Sequence, residues 1–538
     1  MITLLLLGSG VRAKITLAAG SGSADGAASD ITGNTGRKTI LVVDYTQYEW
    51  WVIRWADNYI LCRILTDHQG LPTGSEIYKA CGKTVGDLWS ATPACPGLSD
   101  GSSDTQACTG VYLYFIGSSP AEKAITVNLP SPSVGVSLSG CDPTFPENRC
   151  SAIPSLLLTG EEPLPNENIV AIHTFINGVP SSCTGSTCEI PLQPTTMEGI
   201  TVEFWADSSF GDSSQHFTAL VRVIDSGVTT LPSLAGWYVD VLSTQWRGRP
   251  TASCAQTWQA FPPLGGPPLW LSTPEIPELL ATEEPYAFLA GRLITQGIVD
   301  ASGCANGGVL ANGYADVCGL EKALPEVQKW QNQFDTRIIE VANQSGVPAQ
   351  LMKNLFAQES QFWPGIFNSA HLGLGHITEN GAEVILLWNP SFYEQFCPLV
   401  LEQGTCEKGY VFLSAAQQAT LRGALALQAK TDCADCPAGI DLTNANFSVD
   451  LFAQTLLANC EQVGQEMFNA TKKTPGTVSS YEYLWRITVA NYHAGPGCLS
   501  YALYSTWGHG EPMDWQHVSN YFTPVCQGVV FYVEQIAR

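Results

Sequence analysis

The spacing of apolar residues changes once along this 538-residue chain, and the two spacings demand different secondary structure. Between about Ile125 and Asp225 the period is two. Val170, Ile172 and Thr174 alternate with Ala171, His173 and Phe175 before an Asn177-Gly178 turn; Ile200, Val202 and Phe204 share one face of ITVEFWADSS, and FTALVRVI continues likewise. Such a period belongs to strands with one buried face, and several short ones separated by turns make a sandwich. After Cys304 the period becomes 3.6. Val327, Trp330, Phe334, Ile338 and Val341 fall on one side of a helix that Pro325 can open and Gly346 can end, and Pro348 opens a second helix running through Leu351, Leu355 and Phe356 to Glu359. Ser414 with Gln417 and Ser479 with Glu482 have capping-box spacing, and Phe447, Leu451, Cys460, Val463 and Met467 sketch another apolar stripe. The expected fold class is therefore multidomain: all-β N-terminal modules followed by a mainly α domain.

The remaining segments set the boundaries. Residues 37–124, with KTILVVDYTQYEWWVIRWADNYILCRI and an Asp57-Asn58 turn, read as a small β domain. Its Trp50, Trp51 and Trp55 could form a sugar platform, but aromatics in strands more often serve the core. Residues 125–230 are the sandwich, with His173 structural. Residues 231–300, rich in Pro and Trp, read as an extended connector laid on a surface. Residues 301–538 form the helical domain. Residues 1–36 are a signal-like or linker segment whose apolar MITLLLLG lacks a basic start, as in a truncated signal peptide.

Eighteen cysteines without repeated metal-ligand spacing imply disulfides and an oxidising compartment, hence export or display at a cell surface. Eight lie up to Cys188, ten from Cys254 onward and nine from Cys304 onward. If each domain keeps its bonds to itself, Cys254 must pair at or beyond Cys304 and staple the connector to the helical domain. The lone Cys433-Ala-Asp-Cys436 is read as disulfide halves, with Cys460 a candidate partner, rather than as a zinc or redox site. A net charge of −24 argues against a nucleic-acid partner, which would need a basic face.

One residue carries the chemistry. Glu359 ends an apolar helix and is followed by Phe362 and Trp363, with no Lys or Arg between Lys353 and Lys408. The helix C-terminus and apolar neighbours both disfavour a carboxylate anion, so a proton donor is expected there. GVPAQLMKNLFAQESQFWPG, then LGLGHITENGAE, then ITVANYHAGPG resemble the three motifs of the soluble lytic transglycosylase domain, a lysozyme-like fold, over roughly Val327 to the C-terminus. The β-sandwich pattern is similar to that of bacterial immunoglobulin-like modules, which space or anchor a partner domain.

The resemblance implies that Glu359 is the sole catalytic residue and that Ser360 accompanies it. It also implies that Gly373, Leu374, Gly375, His376 and Ile377 line the cleft, and that Tyr492, His493, Ala494 and Gly495 place a tyrosine beside the acid. The implied activity is an exported lyase that cleaves the N-acetylmuramic acid–N-acetylglucosamine bond of peptidoglycan strands. Its products carry 1,6-anhydro ends, and no metal or organic cofactor is needed. Three positions depart from the motifs: His376 stands for Gln, His493 for Asn and Glu379 for Pro. His371, His376 and His493 could alternatively bind a metal, though they lack ligand spacing. An inverting hydrolase on the same fold would need a second carboxylate, for which Glu379 and Glu383 are candidates. A catalytically silent glycan-binding or surface-scaffold protein is the third possibility.

Overall fold

The computed structural model describes residues 13–16, 37–95, 108–141, 148–228, 235–248, 253–365 and 372–538. The signal-like segment lies mostly outside them, as does His371. The chain divides into two compact units, residues 1–131 with 163–166, and residues 132–162 with 167–538.

In the first unit β1 (Ala13–Thr16), β2 (Lys38–Arg54), β3 (Ile60–Thr66) and β4 (Val111–Asn128) form an antiparallel sheet. β2 pairs with β4 from Lys38 opposite Asn128 to Arg54 opposite Val111. The turn before β3 carries Asn58 at φ 54°. The sequence reading of this segment as β alone missed helix α1 (Gly74–Ala91). A capping box opens it: Glu76 N–H donates to the Thr73 hydroxyl, and Thr73 N–H donates to the Glu76 carboxylate. Cys62–Cys81 ties β3 to α1 over a core of Val52, Ile64, Ile77 and Val111. The tryptophans are engaged by their own sheet. Trp50 packs on this core with its ring 5.0 Å from Phe115, Trp55 lies 4.1 Å from Tyr112, and Trp51 donates to Glu49.

The second unit opens with two antiparallel sheets. β5 (Ser133–Ser139), β7 (Ser155–Glu161) and β10 (Thr187–Pro191) form one. β6 (Arg149–Cys150), β8 (Ile169–Ile176), β9 (Val179–Thr184), β11 (Ile200–Ser208), β12 (Phe217–Asp225) and β13 (Trp237–Leu242) form the other. They share one core, with Val136, Leu156 and Leu158 meeting Ile172, Val202, Phe204 and Val221. Both expected edges move. Ile125 belongs to β4, opposite Leu41, and the first sandwich strand begins at Ser133. At the other end β13 lies inside the expected connector, pairing with β12 from Leu242 opposite Leu220 to Trp237 opposite Asp225. WYVDVL alternates like a strand, but the proline-rich sequence after it masks the signal.

The helical part comprises α2 (Ser253–Trp258), α3 (Ala287–Thr295), α4 (Val317–Asn332), α5 (Asp335–Ser345), α6 (Ala349–Ser360), α7 (Glu379–Trp388), α8 (Pro390–Phe396), α9 (Gln403–Cys406), α10 (Ala415–Gln428), α11 (Leu442–Thr471), α12 (Tyr481–Ala494), α13 (Pro496–Gly508), α14 (Trp515–Ser519) and α15 (Gly528–Ile536). The connector does not merely lie on this domain. Trp258, Trp270, Leu271 and Leu280 are buried in the same core as Val327, Leu355, Phe452 and Trp485, and Cys254 is bonded to Cys460. Arg222 of β12 also reaches the connector, donating to the Pro262 carbonyl at 2.6 Å while its guanidinium stacks on Phe261.

Several local expectations shift by known physics. α4 starts at Val317 because Asp316 caps it, its carboxylate accepting from Gly319 N–H at 2.7 Å, so Pro325 lies inside the helix rather than opening it. α12 is capped by Ser480 rather than Ser479, and Pro496 opens α13 directly after Gly495 ends α12. Cys433 pairs with Cys436, which leaves Cys460 for Cys254. The Ser414–Gln417 capping box forms as read, whereas the single helix expected from Pro325 to Gly346 breaks between Asn332 and Asp335, so that Gly346, φ 71°, ends α5.

Candidate active site

α6 delivers Glu359 near its C-terminus. Leu351, Met352, Leu355 and Phe356 bury one side of the helix, and Lys353 is buried too. The Lys353 ammonium is taken up by Asp335, by the Gln331 carbonyl at 2.9 Å and by the Asn332 side chain at 2.9 Å, so it does not serve Glu359. Burial pushes the Lys353 ammonium down and the Asp335 carboxyl up, against the attraction between them. Immediately after the helix Gln361 and Phe362 adopt φ 46° and 62°, a sharp left-handed exit that costs non-glycine residues energy. Packing holds it. The Gln361 side chain accepts from Phe288 N–H at 3.0 Å, while Trp330 donates to the Phe362 carbonyl at 2.9 Å and stacks on Trp363. Ser360 is 1% exposed and donates to the Phe356 carbonyl, so the structure turns it into the helix rather than toward an opening.

The second segment closes a tight loop in which Leu372 and Ile377 exchange backbone hydrogen bonds at 3.1 and 2.8 Å. Its glycines are required. Gly373 has φ 70°, and a Cβ on Gly375 would lie 2.0 Å from the Phe452 ring. Leu374 and Ile377 are buried and anchor the loop, Leu374 N–H donating to Ser448 at 3.3 Å. Among the loop's side chains His376 is the one brought to the acid, its Nδ1 3.6 Å from Glu359 Oε2.

The third segment, on α12, is anchored by Asn491, whose buried amide donates to Asn459 at 2.9 Å and Gln462 at 2.8 Å. The next residue, Tyr492, donates its hydroxyl to the Gly375 carbonyl at 2.8 Å and meets Phe452 edge-on. It therefore fixes the His376 loop. His493 follows with its ring stacked on Tyr532, centroids 3.9 Å apart. Ala494 packs at the core margin, and Gly495 at φ 78° ends the helix.

Tyr532 is the residue that the sequence reading missed. It lies on α15, and its hydroxyl donates to Glu359 Oε1. Val529, Tyr532, Val533 and Ile536 recur with helical spacing and are all buried, so a signal existed: a tyrosine on a core face needs a partner for its hydroxyl. Burial and the neighbouring Glu359 push both Tyr492 and Tyr532 well above the usual phenol range, which keeps them neutral donors. Burial lowers the His493 imidazole, outweighing the opposite pull of Glu359. The Glu359 side chain keeps 18% exposure. Of the rival carboxylates, Glu383 lies 3.8 Å from Arg422, and Glu379 begins α7 beside a cavity of about 620 Å³ that Leu372 and Ile377 also line.

Compared with protein-family models, with curated proteins and with solved structures, the chain has no match. Its eighteen cysteines form nine disulfides, which fit an oxidising environment, and among the described residues no helix is long and apolar enough to cross a membrane.

Proposed function

We propose that the helical part is a lysozyme-like domain of an exported peptidoglycan lytic transglycosylase, with Glu359 as its single general acid and base, and that the two-sheet body is an immunoglobulin-like spacer. The observation that carries this reading is the setting of Glu359: a partly exposed carboxylate held by a neutral tyrosine, with an imidazole beside its other oxygen. Tyr532 occupies Oε1, so a proton on Oε2 can be presented to a substrate from the His376 side. Glu359 protonates the glycosidic oxygen between N-acetylmuramic acid and N-acetylglucosamine, and the C1–O bond breaks while the substrate's own N-acetyl group stabilises the cation. The carboxylate then takes the proton of the C6 hydroxyl as that oxygen attacks C1, closing the 1,6-anhydro ring. The three sequence segments named by the motif resemblance converge here, which supports the reading further.

Mass spectrometry of products from purified peptidoglycan tests it. Products with 1,6-anhydro ends are expected. Reducing ends, with activity lost in Glu379→Gln or Glu383→Gln, would assign an inverting hydrolase instead. Binding without cleavage at any pH would leave a glycan-binding protein.

A further inference from the structure

One cavity of the helical part lies away from the Glu359 cluster. It encloses about 770 Å³ between α2, the α7–α8 corner and α11, within the range of small-molecule sites. Its walls are cross-linked: Cys254 of α2 is bonded to Cys460 of α11, the Trp258 indole donates to the Cys460 carbonyl at 3.1 Å, and the Thr257 hydroxyl donates to Glu461 at 2.6 Å. Gln259, which also lines it, is held at φ 52°. A cavity with braced walls requires little ordering when a ligand enters.

The lining chemistry is specific. No Lys, Arg or His is among the residues that line it, which disfavours phosphates and carboxylates. Its polar groups are amides and hydroxyls, with Glu461 the single charge. Asn389 donates to Gln454 at 2.7 Å across the α8–α11 wall, and Gln465 stands exposed farther along α11. Apolar surface sits beside them: Phe468 is 47% exposed and Leu387 39%. The Trp388 indole N–H is buried with no hydrogen-bond partner among the described residues. A second cavity, of about 550 Å³, shares Leu387 and Pro390 with the first and adds Glu394 and Glu407, again without a cation.

We infer that this cavity is a second, non-cleaving subsite for an uncharged oligosaccharide bearing hydroxyl and acetamido groups. Amide side chains exchange paired hydrogen bonds with such groups, aromatic and leucine surfaces cover the apolar faces of the rings, and the shared edge with the second cavity allows a chain longer than one cavity holds. The inference does not depend on Glu359 being catalytic.

The test uses the full chain carrying Glu359→Gln, so that nothing is turned over, and a tetramer of N-acetylglucosamine bearing a photoreactive diazirine. Peptide mapping is expected to place label on residues 387–391 and 454–468. Excess unlabelled tetramer should suppress it, and Phe468→Ala, at an exposed position, should weaken it by about tenfold, as for loss of one stacking aromatic. Label confined to the surroundings of residue 359, or no label, overturns the subsite. So does competition that is stronger with the ammonium-bearing glucosamine tetramer or with a short peptide than with the N-acetylated sugar.

Discussion

The acids of the β half of the second unit and one acid of its helical half are held in different ways. On the sandwich, acids are matched with bases: Asp240 with the buried Arg222, Asp207 with His173, Glu203 with His216. These pairs bind strand to strand, and Arg222 adds the connector. In the helical half the buried Lys353 is likewise matched, by Asp335, yet Glu359 farther along the same helix is contacted by a tyrosine and a histidine instead. An acid consumed by a fixed cation serves the fold. An acid held on one oxygen by a tyrosine hydroxyl, with part of its surface open, is free to exchange a proton.

This contrast predicts a double dissociation, and its first arm should be the larger. Glu359→Gln keeps size and hydrogen bonding but cannot donate and recover a proton, so turnover of soluble glycan should fall by ~10² to 10⁴-fold, the usual contribution of general acid–base catalysis. The thermal midpoint should barely move. Retained turnover would place Glu359 with the structural acids and end the comparison.

The second arm is Asp240→Asn. Arg222 and Asp240 side chains are only 5% and 7% exposed, and Arg222 donates two hydrogen bonds to one oxygen of Asp240. Removing the negative charge leaves a buried guanidinium uncompensated, which costs ~3 to 5 kcal/mol in comparable pairs. Denaturant unfolding should show that loss, while turnover per folded molecule stays at the parent level. Because β13 supplies Asp240, a truncation starting at Leu231 would separate the pair, whereas one starting at Pro132 keeps it. Equal stability of the two truncated chains would show the sandwich and helical halves to be independent after all.

Two tyrosines refine the comparison inside the site. Tyr532→Phe removes the bond to Glu359; hydrogen bonds to charged groups contribute ~1.5 to 3 kcal/mol, so kcat should fall by about tenfold or more with little change in KM. Tyr492→Phe instead deprives the Gly375 carbonyl of its donor, and ~1 to 3 kcal/mol of stability should go with it. If Tyr532→Phe alters only stability, its contact with the acid is structural.

How much of this was legible depended on the distance over which the information is written. Helix ends are local, so Gly346, Pro348 and the Ser414 cap are directly legible, while the Asp316 cap is obscured by Pro325, a stronger signal nearby. Parity of cysteines is global but countable, and it placed Cys254 with the helical domain, where it meets Cys460. The roles of side chains within a motif were less legible. Ser360 and Leu374 turned out to hold backbone and core, and only His376 of its loop reaches the acid, because glycines and a buried leucine set the loop's path. Tyr532 lies 173 residues beyond Glu359 with no motif around it, and only the packing of α15 beside α6 reveals the contact.

The smallest effect concerns His493. Burial lowers its pKa in the fold, so as pH falls the unfolded chain takes up this proton before the folded one does. The stability it contributes is therefore fully present above the unfolded value of about 6.5 and is lost as pH drops through the lower folded value. His493→Gln should accordingly show a slightly shallower fall in thermal midpoint between about pH 7.5 and pH 5 than the parent does. The effect should be modest, because His493 is an exposed residue and solvent screens its charge. A thermal slope unchanged in His493→Gln would show that His493 does no more than cover Tyr532.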